Sequence, residues 1–304
     1  MAATTTEEKG FEEGGFDFGR IPLWLIFILI FLLVMGYQIA TSETYREAFN
    51  FIFYGHKDGI LFLSEDQVAQ AKELGVQLNG RVYNNFFEFV TTGTGIILGI
   101  RVTILAFMLS MVLGLFAGLG RISKNFLIRN FAITYIEVIR GIPVLVLLLV
   151  FGFSIFPDVT EALGFKRSAM PMEYRAAITL AVIYGAFIAE VFRAGIESVP
   201  KGQMEAARST GMTHYQAMRY IILPQAIRNI LPALGNDFIA LLKDSSLVSA
   251  LAVSDITQLS RLYVGTTFRF RESYLILTFL YLSLTIALSL LQQWYARRMG
   301  LKQK

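Results

Sequence analysis

Few residues in this chain have the chemistry to act, and most of those lie in an apolar setting. Eight ionisable side chains interrupt long hydrophobic runs: Arg101, Glu137, Arg140, Glu190, Arg193, Asp237, Lys243 and Asp244. A charge surrounded by hydrocarbon is costly, so such residues pair, reach for an interface, or mark a route for polar cargo. Glu137 with Arg140, and Glu190 with Arg193, are each three apart, the spacing at which opposite charges meet on one helix face. Both pairs fall at predicted ends of apolar runs, where long side chains reach water. They read as structural or gating ion pairs. Lys243 and Asp244, with Asp237 before them, sit too deep for that. They either line a path or brace the bundle, at a place where Ser245 and Ser246 signal a broken helix. Arg101 stands near the outer end of its run, to meet a carboxylate there or to anchor the helix at the interface. Bond-making chemistry has no candidate. The chain has no cysteine, hence no thiol nucleophile, thiolate metal site or disulfide. Its two histidines, His56 and His214, are too far apart for a metal-ligand spacing. No Gly-x-x-x-x-Gly-Lys-[Ser/Thr] sequence offers a phosphate-binding loop.

The elements that carry these charges are membrane helices. Of 304 residues 55% are hydrophobic and only 16% charged, where a soluble domain carries about 25%. A bilayer core about 30 Å thick needs roughly 20 apolar helical residues to cross it, and six runs are candidates: 21–40, 95–119, 133–156, 176–195, 230–252 and 273–294. Glu137, Arg140, Gly141 and Pro143 interrupt the first half of the third. Residues 1–20 are acidic and Gly-containing and read as disordered. The 21–40 run lacks the basic start and small-x-small site of a cleaved signal and reads as a retained anchor. Residues 41–90 form a long polar stretch with one short amphipathic helix, opened by a capping box at Ser64 and Gln67 and closed at Gly75. Residues 157–175 and 253–272 read as loops. Lys and Arg concentrate after spans two, four and six, which places those segments and both termini in the cytoplasm. The net charge of +4 reflects these loops and does not imply nucleic acid. Glycines at 91–99 and 114–120 permit close helix approach, within one chain or between two. No internal repeat is apparent.

The segment 197–224, ESVPKGQMEAARSTGMTHYQAMRYIILP, has its own punctuation. Pro200 suits a first helical turn, and a short helix follows to Thr210. Gly211 fits the left-handed position after it. Thr213 with Gln216 forms a capping box for a second helix, and Pro224 interrupts the chain before the fifth span. Two short helices joined at a glycine are predicted on the basic face of the membrane.

Glu205-Ala206-Ala207, three residues, Gly211, nine residues, then Ile221, one residue, Leu223 and Pro224 resemble the EAA loop of type I ABC importer permeases, with every fixed position filled. IEVIRGIPVLV at 136–146, AEVFRAGIESVPKGQMEAARSTG at 189–211 and LPALGNDFIALLKDSSLVSAL at 231–251 are similar to the polar amino acid uptake branch, the histidine, glutamine, glutamate and arginine permeases. The likeness covers residues 93–296.

The resemblance implies an all-α membrane protein of about six spans: a five-helix permease core at 93–296 with its coupling loop at 197–224, an extra N-terminal helix and external loop at 21–92, and a cytoplasmic tail at 297–304. It implies a multi-pass protein of the bacterial inner membrane that does no bond chemistry, with ATP and Mg bound by a partner ATPase. The implied partners are an ATPase dimer, a second permease (identical or paralogous), an external amino-acid-binding protein and the amino acid substrate. In that scheme Glu205 offers an anionic contact to the ATPase, Ala206 and Ala207 allow close approach, and Gly211 permits the turn. An ion-coupled secondary transporter, a membrane enzyme and a channel each leave the EAA spacing unexplained.

Overall fold

The computed structural model describes residues 23–298 apart from 57, 64, 74–80 and 85. The N-terminal 1–20, the cap at Ser64 and the stop at Gly75 therefore lie outside the described residues. α1 (Leu23–Thr41) is apolar throughout and turns by 103° into α2 (Glu43–Tyr54). α2 is amphipathic, and it buries Ala48 and Ile52. The stretch expected to be a polar loop is a small α/β unit. β1 (Ile60–Phe62), α3 (Glu65–Glu73), β2 (Arg81–Tyr83) and α4 (Phe86–Thr92) follow α2, and the two strands pair in parallel with Leu61 opposite Val82.

The bundle begins with α5 (Ile96–Arg121) and α6 (Phe126–Gly141). After α6 the chain is extended at Ile142 (φ −109°, ψ 136°), because the residue before a proline is pushed out of the helical region. α7 (Val144–Val150), a π-helical turn at Phe151–Ile155 and α8 (Phe156–Ala162) then run on as one apolar stretch. The third span expected at 133–156 is thus corrected. Its crossing segment is Val144–Ala162, and α6 is a separate amphipathic helix. α9 (Met172–Glu197) follows.

Next come α10 (Lys201–Ser209), α11 (His214–Ala217), a π-helical turn at Met218–Ile222 and α12 (Leu223–Asp244). Pro224 does not interrupt the chain as expected. It occupies the start of α12, and the wide turn before it absorbs the hydrogen bond that proline cannot donate. α12 gives way at Ser245–Leu251 to a 3-10 turn. The stretch 253–272, read as a loop, contains α13 (Ile256–Thr267). Asp255 caps it by accepting from the Gln258 N–H at 2.9 Å, and Ile256, Leu259, Tyr263 and Val264 bury one face. α14 (Phe270–Arg298) closes the bundle.

Among the described residues four stretches are long and apolar enough to cross a membrane: Ile96–Arg121, Val144–Ala162, Met172–Glu197 and Phe270–Arg298. The bent α1–α2 pair makes a fifth. α12 is 22 residues long, but its polar and charged residues keep it out of that set. Among the described residues the fold is all-α apart from the short strand pair.

α9 is the central helix. Its small residues Ala176, Ala177, Ala181, Ala186 and Ala189 are fully buried and let neighbours approach. α5 packs along it at Gly114 and Gly118. A Cβ at Gly118 would lie 2.8 Å from the Ala189 carbonyl oxygen, and one at Gly114 2.7 Å from Ile188 Cγ2. The 114–120 glycines therefore serve packing within this chain. At the opposite end of α9, Arg175 is almost fully buried yet satisfied by carbonyls of Met170 (2.8 Å), Gly152 (3.1 Å) and Arg167 (2.5 Å). Pro157 has no N–H to offer Gly152 across the π-helical turn, so that carbonyl is free for Arg175.

Candidate functional site: a helical hairpin and the charges inside the bundle

α10 and α11 form a hairpin at one end of the bundle. Gly211 joins them at φ +86° with nothing within 4 Å of where a Cβ would stand. A side chain there would fit, so glycine is required by the backbone alone. The turn is closed by Thr210 N–H to the Ala206 carbonyl and Met212 N–H to the Ala207 carbonyl, both at 3.3 Å. α11 opens with both bonds of a capping box: Gln216 N–H to Thr213 Oγ1 at 3.2 Å, and Thr213 N–H to Gln216 Oε1 at 2.8 Å. The residues of the resemblance divide by face. Glu205 and Ala206 are exposed on the outer side of α10, and Leu223 and Pro224 are exposed where α12 begins. Ala207 is buried, and Ile221 packs with Met204 and Met218 against Val199, Ile222 and Ile230. The hairpin is thereby fixed to α9 and α12 while it presents Glu205 and the small Ala206 outward, with Lys201 and Arg208 exposed beside them. Tyr215 and Tyr220 add exposed aromatic area beside it.

Just inside this end an ion cluster ties three helices. Arg121, the last residue of α5, reaches Glu137 of α6 at 3.1 Å and Glu190 of α9 at 2.7 Å. Glu190 also meets Arg193 at 2.9 Å, the expected three-residue pair, and Arg193 continues to Glu197. The pair expected between Glu137 and Arg140 is not formed. Glu137 turns to Arg121, and the Arg140 guanidinium lies over the Phe187 ring at 5.5 Å from its centroid. In the sequence Arg121 is one of the Lys and Arg residues that follow the second span. Its role depends on α6 folding back on α5, which no local spacing reveals.

Deeper, Tyr184 of α9 donates to Asp244 Oδ2 at 2.8 Å. Asp237 lies seven residues earlier on the same stripe of α12 and buries one carboxylate oxygen without a hydrogen-bond partner among the described residues. Lys243 points elsewhere, exposed and facing α14. At the far end of the bundle Arg101 binds Glu173 of α9 at 3.1 Å. These two line a cleft of about 340 Å³ with Thr91 and Tyr174. No cluster of metal-ligating side chains occurs among the described residues.

A bundle with a broken span and a hairpin of this build is that of an importer's membrane subunit. The chain belongs to the family of binding-protein-dependent transport system inner membrane components, whose pattern matches residues 110–301. In that family ATP is hydrolysed on a separate ATPase subunit. Among its relatives, the probable amino-acid permease protein YxeN of Bacillus subtilis (strain 168) is 36% identical over 67% of this chain and 91% of the relative. The glutamine transport system permease protein GlnP of Escherichia coli (strain K12) is 31% identical over 65% and 88%. An amino acid ABC transporter crystallised with histidines contains a chain 36% identical to this one. It covers 78% of this chain and 100% of its own length, with a TM-score of 0.61. The methionine ABC transporter MetNI, at 20% identity and TM-score 0.56 over 69% and 95%, shares the fold.

Proposed function

We propose that this chain is the permease of an ATP-driven importer of polar amino acids, with α10 and α11 as the element that takes up the ATPase stroke. The observation that carries the reading is the hairpin. It is fixed to α9 and α12 on one side, presents Glu205 and Ala206 on the other, and pivots at a glycine with positive φ. A rigid hairpin of this kind transmits a displacement as a body, as alternating access requires. The names of relatives such as YxeN and GlnP support an amino acid as cargo.

The hairpin, both termini and the 297–304 tail belong on the cytoplasmic side in this reading, which the surrounding Lys and Arg favour. An ATPase dimer carrying ATP and Mg seats there, beside a second permease, identical or paralogous. The external amino-acid-binding protein docks at the opposite end. Residues 93–296 are the permease core, and 21–92 are an added helix with its external unit. Lys243, Asp244, Asp237 and Arg101 are assigned to the substrate path. Glu137, Arg140, Glu190 and Arg193 are assigned to gating near the hairpin.

The test is uptake of radiolabelled polar amino acids into proteoliposomes holding the assembled transporter, with ATP on the hairpin side. Accumulation needs both ATP and the binding protein. Glu205→Ala weakens ATPase docking while the chain stays folded. Gly211→Ala forces a Cβ into the left-handed region at a cost of about 1–2 kcal/mol and lowers uptake. Uptake driven by an ion gradient without any ATPase would overturn the reading.

A further inference from the structure

α5 and α6 leave a groove of about 500 Å³ between them at the hairpin end of the bundle. Leu113, Phe116 and Ala117 of α5 form one wall, and Leu127, Ile128 and Phe131 of α6 the other. Phe116, Leu127 and Phe131 are 71%, 75% and 79% exposed. At Gly120 a Cβ would stand 3.0 Å from that of Ala132, so glycine lets α6 lie close on α5 where the groove ends. Tyr135 also lines the groove, but its hydroxyl is turned inward and donates to the Val182 carbonyl at 2.6 Å. The walls therefore offer hydrocarbon, and a polar ligand would lose its hydration there without compensation.

The depth of the groove decides what meets its open side. α5 has 26 residues, about 39 Å at 1.5 Å per residue, against a hydrocarbon core of about 30 Å. Its last residues therefore stand at a membrane interface. From Gly120 back to Leu113 the groove runs about 10 Å along the helix, within one leaflet. At that depth its open side meets acyl chains.

The interface end of the groove is cationic. Lys124 lies in the turn that joins the two walls and Arg129 in the first turn of α6, both exposed. Neither pairs with a carboxylate among the described residues, whereas Arg121 is held by Glu137 and Glu190. From Leu113 to Ile136 the chain carries Arg121, Lys124 and Arg129 and no acidic residue. Lys124 and Arg129 are thus left without a counter-charge. A hydrocarbon slot with unpaired cations at headgroup level suits a molecule with an acyl chain below and a negative charge above.

We propose that the α5–α6 groove binds an anionic phospholipid, with one acyl chain along Phe116 and Phe131 and the phosphate at Lys124 and Arg129. This goes beyond the importer reading and needs only that α5 crosses the bilayer. A second copy of the chain is a poorer occupant. Seated symmetrically, it would set Lys124 and Arg129 against their own counterparts, a contact of like charges.

The experiment is lipid retention by the purified chain with its co-purifying subunits. The complex is saturated in detergent with equimolar dioleoyl phosphatidylglycerol and dioleoyl phosphatidylcholine, then washed. Bound lipid is counted by native mass spectrometry. The chains are identical, so a preference reports the headgroup. Wild type is compared with the double variant Lys124→Gln/Arg129→Gln, with Ala117→Leu, which fills the groove, and with Phe131→Ala, which trims an exposed wall residue and leaves the fold intact. Wild type is expected to retain phosphatidylglycerol about 10- to 30-fold over phosphatidylcholine, as two interfacial cations imply. The double variant loses that preference and one phosphatidylglycerol per copy of the chain. Ala117→Leu and Phe131→Ala hold both lipids several-fold less well. Equal retention of the two lipids by wild type overturns the site, and so does undiminished phosphatidylglycerol on the double variant. Full retention by Phe131→Ala also overturns it, since the lipid then rests on the cations outside the groove. A Phe131→Ala complex that falls apart into folded subunits shows a second copy in the groove and overturns it too. No uptake is measured, so the importer reading stands or falls separately.

Discussion

Arg121 is the residue on which the hairpin end of the bundle closes. One guanidinium group, about a quarter exposed, satisfies carboxylates from two other helices. The two contacts differ in value. Glu137 is 58% exposed and its pair with Arg121 is screened by water, whereas Glu190 is 18% exposed and loses more when the cation goes. Arg121→Gln is therefore expected to cost about 1–3 kcal/mol, and Glu137→Gln no more than about 0.5 kcal/mol. Thermal unfolding of the purified protein in detergent separates the two. Equal destabilisation by both would show that exposure does not rank these contacts. Local spacing identified Glu190 and Arg193 as partners because both lie on α9. It misassigned Glu137, whose partner is set by the fold-back of α6 on α5. Tyr184 escaped notice for the same reason, since only packing of α9 on α12 brings its hydroxyl to Asp244.

At the scale of the element, helix breaks were legible where a residue type enforces them and invisible where tertiary bonds do. Gly211, the Thr213–Gln216 box and the Gly141–Pro143 break are written in the chain because each follows from backbone sterics or a local side-chain bond. α13 was missed because its apolar face is short and becomes decisive only when α2 and α14 cover it; Ile256 and Tyr263 join a cluster with Ile52 and Ile276. The contact of α5 with α9 supplies the element-scale prediction. At Gly118 the obstacle to a side chain is a backbone oxygen 2.8 Å from the Cβ position, which cannot rotate aside as a side chain would. Gly118→Val therefore forces α5 off α9 and costs about 1–3 kcal/mol of overpacking. Gly36→Ala in α1, with nothing within 4 Å of its Cβ position, is the control and is expected to be neutral or slightly stabilising. A Gly118→Val protein that unfolds at the wild-type temperature would mean that the helices separate without cost.

For the whole molecule, the decisive question is how many times the chain crosses. Helix length and apolarity alone count four stretches or five among the described residues, whereas the resemblance read from the sequence implies about six. The difference lies in α12, whose charges depress its apolarity, and in α1, whose far end bends into α2. Of the four charged residues of α12, Arg228 lies exposed near the hairpin end, Asp237 is half-buried within the bundle, Asp244 is bonded to Tyr184 and Lys243 faces a groove beside α14 that carries hydroxyls, so these charges do not bar α12 from crossing. The absence of cysteine makes the count directly measurable, because each introduced thiol is the only one. Single substitutions at the exposed positions Thr41, Ser168 and Thr266 probe the end opposite the hairpin; Gln203 and Arg297, also exposed, probe the hairpin end. With six crossings, a membrane-impermeant maleimide applied to intact cells labels Thr41→Cys, Ser168→Cys and Thr266→Cys. It reaches Gln203→Cys and Arg297→Cys only after permeabilisation, and a seated ATPase shields Gln203→Cys. Thr41 stays at the end opposite the hairpin in either case, because α2 packs there on Ile96 and α13, so α1 is tested by a cysteine before it: Gly19→Cys is hidden until permeabilisation if α1 crosses and is labelled on intact cells if α1 lies along the outer surface. If α12 failed to cross, Thr266→Cys would change sides and Ser168→Cys would not. Each pattern follows from one helix alone, so a single labelling series decides both disputed crossings and with them the side on which the hairpin meets its ATPase.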